Sequence, residues 1–234
     1  MLVIFDCDGV LVDSEIISAQ VSSDCLKEIG VELSADYFLE TYRGKSVADC
    51  IAMVTEEMAR VDAWANLGAA EQAERGAQLW RHIQLQTLVA CEKELEPVAG
   101  VMAVLDNLQE KQIPFCVASN GKHEKMRMTL AKTGIMPYVQ GRVFSFEDVT
   151  RGKPAPDLFL HAAKTLNVPA AQAIVVEDSL TGIQAAVAAG MRPLGYCPPN
   201  SDGSDNVLLQ PMRELGAEVF FAMDELIPLI LKNH

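Results

Sequence analysis

The sequence predicts an α/β fold in which a mainly parallel sheet has helices on both faces and carries an inserted all-helical domain. Three observations support it. The apolar run Leu2–Phe5 ends in acidic residues and glycine, as a buried strand does at a loop. After residue 97, short apolar runs alternate with helical patterns, which is typical of parallel sheets. Residues 15–95 contain no convincing strand pattern.

The alternating region supplies five further predicted strands: Pro114–Ala118, Arg142–Phe146, Ala173–Val176, Pro193–Tyr196 and Glu218–Phe221. The helical patterns that separate them cover residues 100–111, 122–133, 156–167, 180–190, 203–216 and 224–232. We therefore expect an α/β core formed by residues 1–14 and 96–234. Ligands of such sheets bind outside the carboxyl ends of the strands, so this core is the expected catalytic domain.

The segment 15–95 is predicted to be a helical cap domain. Its helical stretches are Ile17–Ile29, Val47–Arg60 and Ala65–Cys91, which are rich in Ala, Glu, Gln and Leu. Pro97 and Gly100 mark the return to alternating structure. The insert leaves the core at the sheet edge where ligands bind, and a lid at that edge is the expected role.

Composition narrows the class of partner. The 234 residues are 50% apolar, enough to form a sizeable core, and the formal net charge is −13. Such a charge argues against nucleic acid or an anionic membrane surface as the main partner, so we expect a small-molecule ligand. A monomer or weak dimer is expected for an acidic chain of this size. The six cysteines form no CxxC pair and no stretch reaches membrane-span length, which together predict a cytoplasmic protein with reduced thiols.

Two carboxylates follow the first strand. Asp6 and Asp8 are two residues apart, and side chains at that spacing share one side of an extended chain. Paired carboxylates at the end of a buried strand are costly unless a cation or a shared proton relieves them. The sequence therefore indicates chemistry at this point, with a divalent metal.

Polar residues also follow three later strands. Ser119 ends one strand and precedes turn residues, which suits either a phosphate oxygen or the cap of the next helix. Lys153 lies between a glycine and a proline, as a fixed counter-charge or as an exposed loop lysine. Glu177 and Asp178 repeat the opening pattern of acids after a strand, although capping of the next helix by Asp178 or Ser179 is the alternative.

Together and in this order, these segments resemble the four sequence motifs of the haloacid dehalogenase-like superfamily, which contains mainly metal-dependent phosphohydrolases. The matching segments are Asp6-Cys7-Asp8-Gly9-Val10-Leu11, Ser119-Asn120-Gly121, Lys153-Pro154 and Glu177-Asp178-Ser179. The resemblance implies a Rossmann-like core. The chain is similar to one subgroup of the family, which has a helical insert between the first two motifs. That subgroup includes β-phosphoglucomutase and many sugar-phosphate phosphatases.

The resemblance also implies roles for individual residues. Asp6 is the expected nucleophile and forms an aspartyl phosphate. Asp8 is expected to protonate the leaving oxygen and then to take a proton from the attacking water. Ser119, Asn120 and Lys153 are expected to bind the substrate, with Ser119 and Lys153 holding the oxygens of the transferring phosphoryl group.

Mg²⁺ is the expected cofactor, because the acids outnumber the basic groups and offer only hard oxygen ligands. The expected ligands are Asp6, the main-chain carbonyl of Asp8 and Asp178, with Glu177 beside or among them.

In the insert, Arg43, Gly44 and Lys45 align with the specificity loop of the subgroup. They are predicted to contact a second anionic or polar group of the substrate, such as the carboxylate of a phosphorylated sugar acid. A solvated loop is the alternative. The basic residues after Ser119 are expected on a solvated helix face: Lys122, Lys125 and Arg127.

Other functions remain as alternatives. Mutases of the subgroup carry a histidine ten residues after the second aspartate, and Ser18 occupies that position, which favours a hydrolase. Asp8 argues against haloacid dehalogenation, since that reaction resembles a site without this acid. A catalytically inactive binding or regulatory module is a further possibility, but the nucleophile Asp6 and the later acid Asp178 are both present.

Overall fold

The structure is a computed structural model that describes residues 1–42, 45, 47–199 and 203–232. The chain divides into two compact units, one formed by Met1–Asp13 with Glu96–His234 and the other by Ser14–Leu95. The first unit contains a sheet, and the described part of the second contains helices but no strand.

The sheet has six strands: β1 (Leu2–Phe5), β2 (Phe115–Ser119), β3 (Val143–Ser145), β4 (Ala173–Glu177), β5 (Arg192–Tyr196) and β6 (Glu218–Phe220). Their order is β3-β2-β1-β4-β5-β6, and every neighbouring pair is parallel. The strands β2, β1 and β4 therefore lie side by side at the centre, and their carboxyl ends meet at one edge.

The helices of the described residues are numbered along the chain: α1 (Ser14–Glu28), α2 (Ala35–Tyr42), α3 (Val47–Ala59), α4 (Asp62–Ala65), α5 (Ala69–Glu94), α6 (Val101–Glu110), α7 (His123–Lys132), α8 (Met136–Val139), α9 (Asp157–Thr165), α10 (Leu180–Ala188), α11 (Leu209–Glu214) and α12 (Leu226–Leu231). None of them is long and apolar enough to span a bilayer.

The central strand is buried on both of its faces. Leu2 and Ile4 pack against one cluster that includes residues of α9 and α10. Val3 and Phe5 alternate to the other face and are equally buried, with the Phe5 ring edge-on to Phe115. Helices on both faces of a parallel sheet confirm the predicted fold class.

The helical unit has a core of its own, in which α1, α2, α3 and α5 each contribute a buried side chain: Leu26, Phe38, Val54 and Ile83. The patterns missed α2 and α8, which have only eight and four residues. The predicted helix over 203–216 was too long, since α11 covers only Leu209–Glu214 and is preceded by turn-forming residues around Asn206.

Candidate active site

Asp6 lies directly after β1, at the carboxyl edge of the sheet. Its main-chain N–H donates to the carbonyl of Val176 at 2.9 Å, which keeps the residue beside β4. Burial raises the pKa of the Asp6 carboxyl to about 6, with Lys153 opposing the shift and Glu177 adding to it. The ionised form of Asp6 is therefore not fully stabilised by Lys153, and further positive charge nearby would stabilise it.

Lys153 supplies part of that charge. Its Nζ lies 2.6 Å from Asp6 Oδ1 and 2.6 Å from Glu177 Oε1, and its side chain is only 3% exposed. The ammonium also lies 4.8 Å from the ring centroid of Phe159. Burial alone would lower the pKa of Lys153, but the two carboxylates hold it above its ordinary value. Lys153 is thus a fixed cation and not an exposed loop lysine.

Glu177 ends β4 and is almost completely buried. Its Oε1 accepts from Lys153, while its Oε2 accepts from the main-chain N–H of Asp178, the main-chain N–H of Ser179 and the hydroxyl of Ser179. Because a carboxylate oxygen has about two acceptor positions, these contacts fully use Oε2, while Oε1 faces Lys153. The Ser179 hydroxyl also accepts from the N–H of Gly182 and caps α10, as the capping alternative predicted.

Three acids of the two strand ends converge. Asp6, Glu177 and Asp178 each offer one carboxylate oxygen, and these oxygens all lie within 4.8 Å of one another. Hard oxygen donors at such spacing suit a small divalent cation. This group fits the expected metal site.

Ser119 and Asp8 face one small space. Ser119 ends β2 and is buried, and its Oγ accepts from the N–H of Gly121 at 3.2 Å. A side-chain carbon placed at Gly121 would lie 3.7 Å from Ser119 Oγ and 3.8 Å from Asp8 Oδ2. The helix-capping alternative for Ser119 is wrong, because the following helix begins at His123 with no side-chain cap.

Lys125 is the residue that the sequence patterns missed. On α7, its Nζ lies 2.8 Å from each carboxylate oxygen of Asp8. The expected solvated helix face is therefore wrong for Lys125, whose side chain is about one-third exposed. Lys125 and Lys153 together bring two positive charges to the four acids Asp6, Asp8, Glu177 and Asp178. When all four acids are ionised, the group has a net charge of two negative units, which one divalent cation would balance.

Asn120 is exposed, and its side-chain amide contacts the main chain of Lys153. Nδ2 donates to the Lys153 carbonyl at 3.0 Å, and Oδ1 accepts from the Lys153 N–H at 2.9 Å. The loop that follows β2 is therefore tied to the segment that carries the catalytic lysine candidate.

The predicted specificity loop is described only in part. Arg43 and Gly44 lie outside the described residues. Lys45 is exposed and lines a cavity of about 240 Å³ within the helical unit. Other residues of that lining include Glu15, Ser18, Tyr42 and Trp80.

Sequence comparison identifies the family. Residues 1–190 match the family model of the haloacid dehalogenase-like hydrolases. A relative from Escherichia coli (strain K12), 6-phosphogluconate phosphatase, is 33% identical over 195 residues, which cover 83% of this chain and 81% of the relative. The chain therefore belongs to the haloacid dehalogenase-like hydrolase family, and the resemblance drawn from the four motifs is confirmed.

Solved structures agree with the fold. A HAD-family hydrolase from Deinococcus radiodurans R1, determined with bound phosphate and sodium, is 26% identical and superposes with a TM-score of 0.80 over 99% of this chain and 95% of its own. A structure described as a putative β-phosphoglucomutase from Thermotoga maritima has a TM-score of 0.75 at 21% identity, covering 100% of this chain and 99% of its own. At that identity the second likeness concerns the fold alone.

Proposed function

We propose that this hydrolase removes phosphate from a small phosphorylated sugar or sugar acid, with Asp6 as nucleophile and Mg²⁺ as cofactor. The chain is a phosphoric monoester hydrolase by its family and by the phosphatases among its relatives. One observation carries the proposed mechanism: Lys153 Nζ lies 2.6 Å from an oxygen of Asp6, within a group of carboxylates that still needs positive charge.

In the proposed first step, an Asp6 oxygen attacks phosphorus while the bond from phosphorus to the leaving oxygen breaks. Asp8 gives its proton to that leaving oxygen. In the second step, Asp8 takes a proton from a water that attacks phosphorus, and the bond between phosphorus and Asp6 breaks. Ser119 and Lys153 hold the oxygens of the phosphoryl group, since phosphoryl transfer depends chiefly on positioning and electrostatic stabilisation.

Asp6, Asp178 and the main-chain carbonyl of Asp8 are the proposed metal ligands. A bound Mg²⁺ supplies charge neutralisation to the phosphoryl oxygens. We propose that Glu177 acts beside the ion, because its two oxygens already accept four hydrogen bonds. In that position Glu177 holds Lys153 and the main chain at Asp178.

The core unit is the proposed catalytic domain and the unit Ser14–Leu95 the proposed cap. The substrate's organic part is assigned to the cap because Lys45 lines a cavity there with both polar and aromatic side chains. A cavity lined by a lysine and by aromatic rings suits a hydroxylated molecule that also carries a carboxylate. Ser18 lines the same cavity where mutases of the subgroup have histidine, and this favours hydrolysis over phosphoryl transfer back to the sugar.

The first test is phosphate release from p-nitrophenyl phosphate with Mg²⁺ and with excess EDTA. We expect turnover only with the metal, and full activity in EDTA would contradict the metal assignment. A substrate comparison then uses 6-phosphogluconate and glucose 6-phosphate, with the sugar acid preferred. Formation of glucose 6-phosphate from β-glucose 1-phosphate without phosphate release would instead identify a mutase.

Lys45→Met tests the cap assignment, with Lys27→Met as a matched control on the same unit. We expect the Lys45 variant to raise the KM for 6-phosphogluconate and to leave the KM for glucose 6-phosphate unchanged. Equal activity of the native enzyme on both sugars would remove the basis of the sugar-acid assignment.

A reducing compartment such as the cytoplasm is proposed for this enzyme. The support is that all six cysteines are buried and form no disulfide. A monomer or weak dimer is proposed for the oligomeric state, and light scattering on the purified protein measures it directly.

A further inference from the structure

Asn120 holds both main-chain polar groups of a single residue. Its Nδ2 donates to the carbonyl of Lys153 at 3.0 Å, and its Oδ1 accepts from the N–H of Lys153 at 2.9 Å. The two residues are 33 positions apart in the chain. An amide carries its donor and its acceptor on two separate atoms, and both are used here, so neither an ionised aspartate nor leucine could replace it.

The neighbouring glycine leaves room for this contact. A side-chain carbon placed at Gly152 would lie 2.6 Å from Asn120 Oδ1 and 3.2 Å from Asn120 Cγ. Any side chain at position 152 would push the Asn120 amide away from the main chain of Lys153. The absence of a side chain at Gly152 thus allows the Asn120 amide to reach the main chain of Lys153.

We call the two hydrogen bonds from the Asn120 amide to the main chain of Lys153 the Asn120 clamp. The clamp fixes the main chain from which the Lys153 side chain extends. At the other end of that side chain, Nζ lies 2.6 Å from Asp6 Oδ1 and 2.6 Å from Glu177 Oε1. An ammonium held between a nucleophile and a second carboxylate tolerates little displacement, and a misplacement of about 1 Å costs roughly 100-fold in rate.

We propose that Asn120 is a positioning residue that acts on catalysis through Lys153, in place of the direct substrate contact that the sequence suggested. The inference rests on the proposed function, in which Lys153 holds the phosphoryl group. Asn120 sets the main chain of Lys153, and Lys153 in turn presents its ammonium to Asp6 and to the transferring phosphoryl oxygens.

The test is a double-mutant cycle of Asn120→Ala and Gly152→Ala, assayed with p-nitrophenyl phosphate and Mg²⁺. We expect each single variant to lower kcat by about 10- to 100-fold with little change in KM. The double variant should lose no more than Asn120→Ala alone, because removing the amide also removes the two atoms that the new methyl group would approach most closely. Losses that multiply, or a rise in KM at unchanged kcat, would overturn the proposal and indicate a direct substrate contact.

Hydrogen exchange of the Lys153 amide gives a readout that does not depend on activity. The exchange is measured on the metal-free protein, and circular dichroism checks that each variant is folded. We expect faster exchange in the variants Asn120→Ala and Gly152→Ala than in the native protein. Unchanged protection in both would contradict the clamp. If exchange is faster in the two variants but the native protein has no phosphatase activity, the clamp is supported and the proposed function is refuted.

Discussion

Lys125 places its ammonium 2.8 Å from both carboxylate oxygens of Asp8, across 117 positions of the chain. Contact with both oxygens fixes the orientation of the Asp8 side chain as well as its charge environment. Asp8 is the proposed acid and base of the reaction, so Lys125 holds the group that must reach the leaving oxygen.

Lys125→Met should therefore lower kcat. We expect a loss on the order of 10-fold, a part of the 10²- to 10⁴-fold that a positioned acid or base contributes. Steady-state kinetics with p-nitrophenyl phosphate measure it. Arg127→Met is the control, since it removes an exposed cation from the same helix. If both variants kept the native kcat, the contact with Asp8 would have no catalytic importance.

Gly182→Ala should damage both stability and activity. A methyl group at this position would lie 1.9 Å from Glu177 Cδ and 1.9 Å from its Oε1, so the buried carboxylate would have to move. Such overpacking costs about 1–3 kcal/mol, and the movement would also displace Lys153. Thermal unfolding and phosphate release measure the two effects.

Gly68→Ala is the matched control for that substitution, because a side-chain carbon there meets nothing within 4 Å. Its melting temperature should stay close to that of the native protein. A Gly182→Ala enzyme with native stability and native kcat would show that Glu177 does not need its observed position.

The buried Asp6 carboxyl makes stability depend on pH when no metal is bound. Its pKa of about 6 in the folded protein lies above the ordinary value of 3.8, so folding favours the protonated form. The ionised form carries a penalty that grows as pH rises from about 4 through 6 and is complete above it, at most about 3 kcal/mol for a shift of about two units.

Asp6→Asn removes this penalty. In excess EDTA we expect the variant to melt at a higher temperature than the native protein at pH 8, and at nearly the same temperature at pH 4. Mg²⁺ at pH 8 should raise the melting temperature of the native protein and have much less effect on the variant. A less stable variant at pH 8 in EDTA would mean that Lys153 alone compensates the Asp6 charge.

The residues at the strand ends were predictable from sequence for a physical reason. In a parallel sheet the carboxyl ends of adjacent strands share one edge, so an acid after β1, a serine at the end of β2 and acids at the end of β4 must lie close together. Buried strands are short apolar runs, and the polar residue that ends each run is visible in the sequence.

The contacts of Lys125 and Asn120 were not predictable in this way. Whether a lysine on α7 reaches Asp8 depends on how that helix packs on the sheet. The hydrophobic pattern of the sequence does not predict this packing. The amide of Asn120 meets Lys153 through the paths of two loops, and loop geometry is set by tertiary contacts and not by local pattern. The short helices α2 and α8 were not predicted either, because eight and four residues are too few to show a clear helical pattern.

Acid quenching during turnover tests the central claim, that Asp6 is the nucleophile. The enzyme is mixed with substrate and Mg²⁺, quenched within a turnover and analysed by peptide mass spectrometry, with Asp6→Asn treated in parallel. We predict a phosphoryl group on the peptide that carries Asp6, its release by hydroxylamine, and no labelling of the variant, whose kcat should fall by roughly 10³-fold or more. Native-like turnover by Asp6→Asn, or a phosphoryl group on a different residue, would contradict the account.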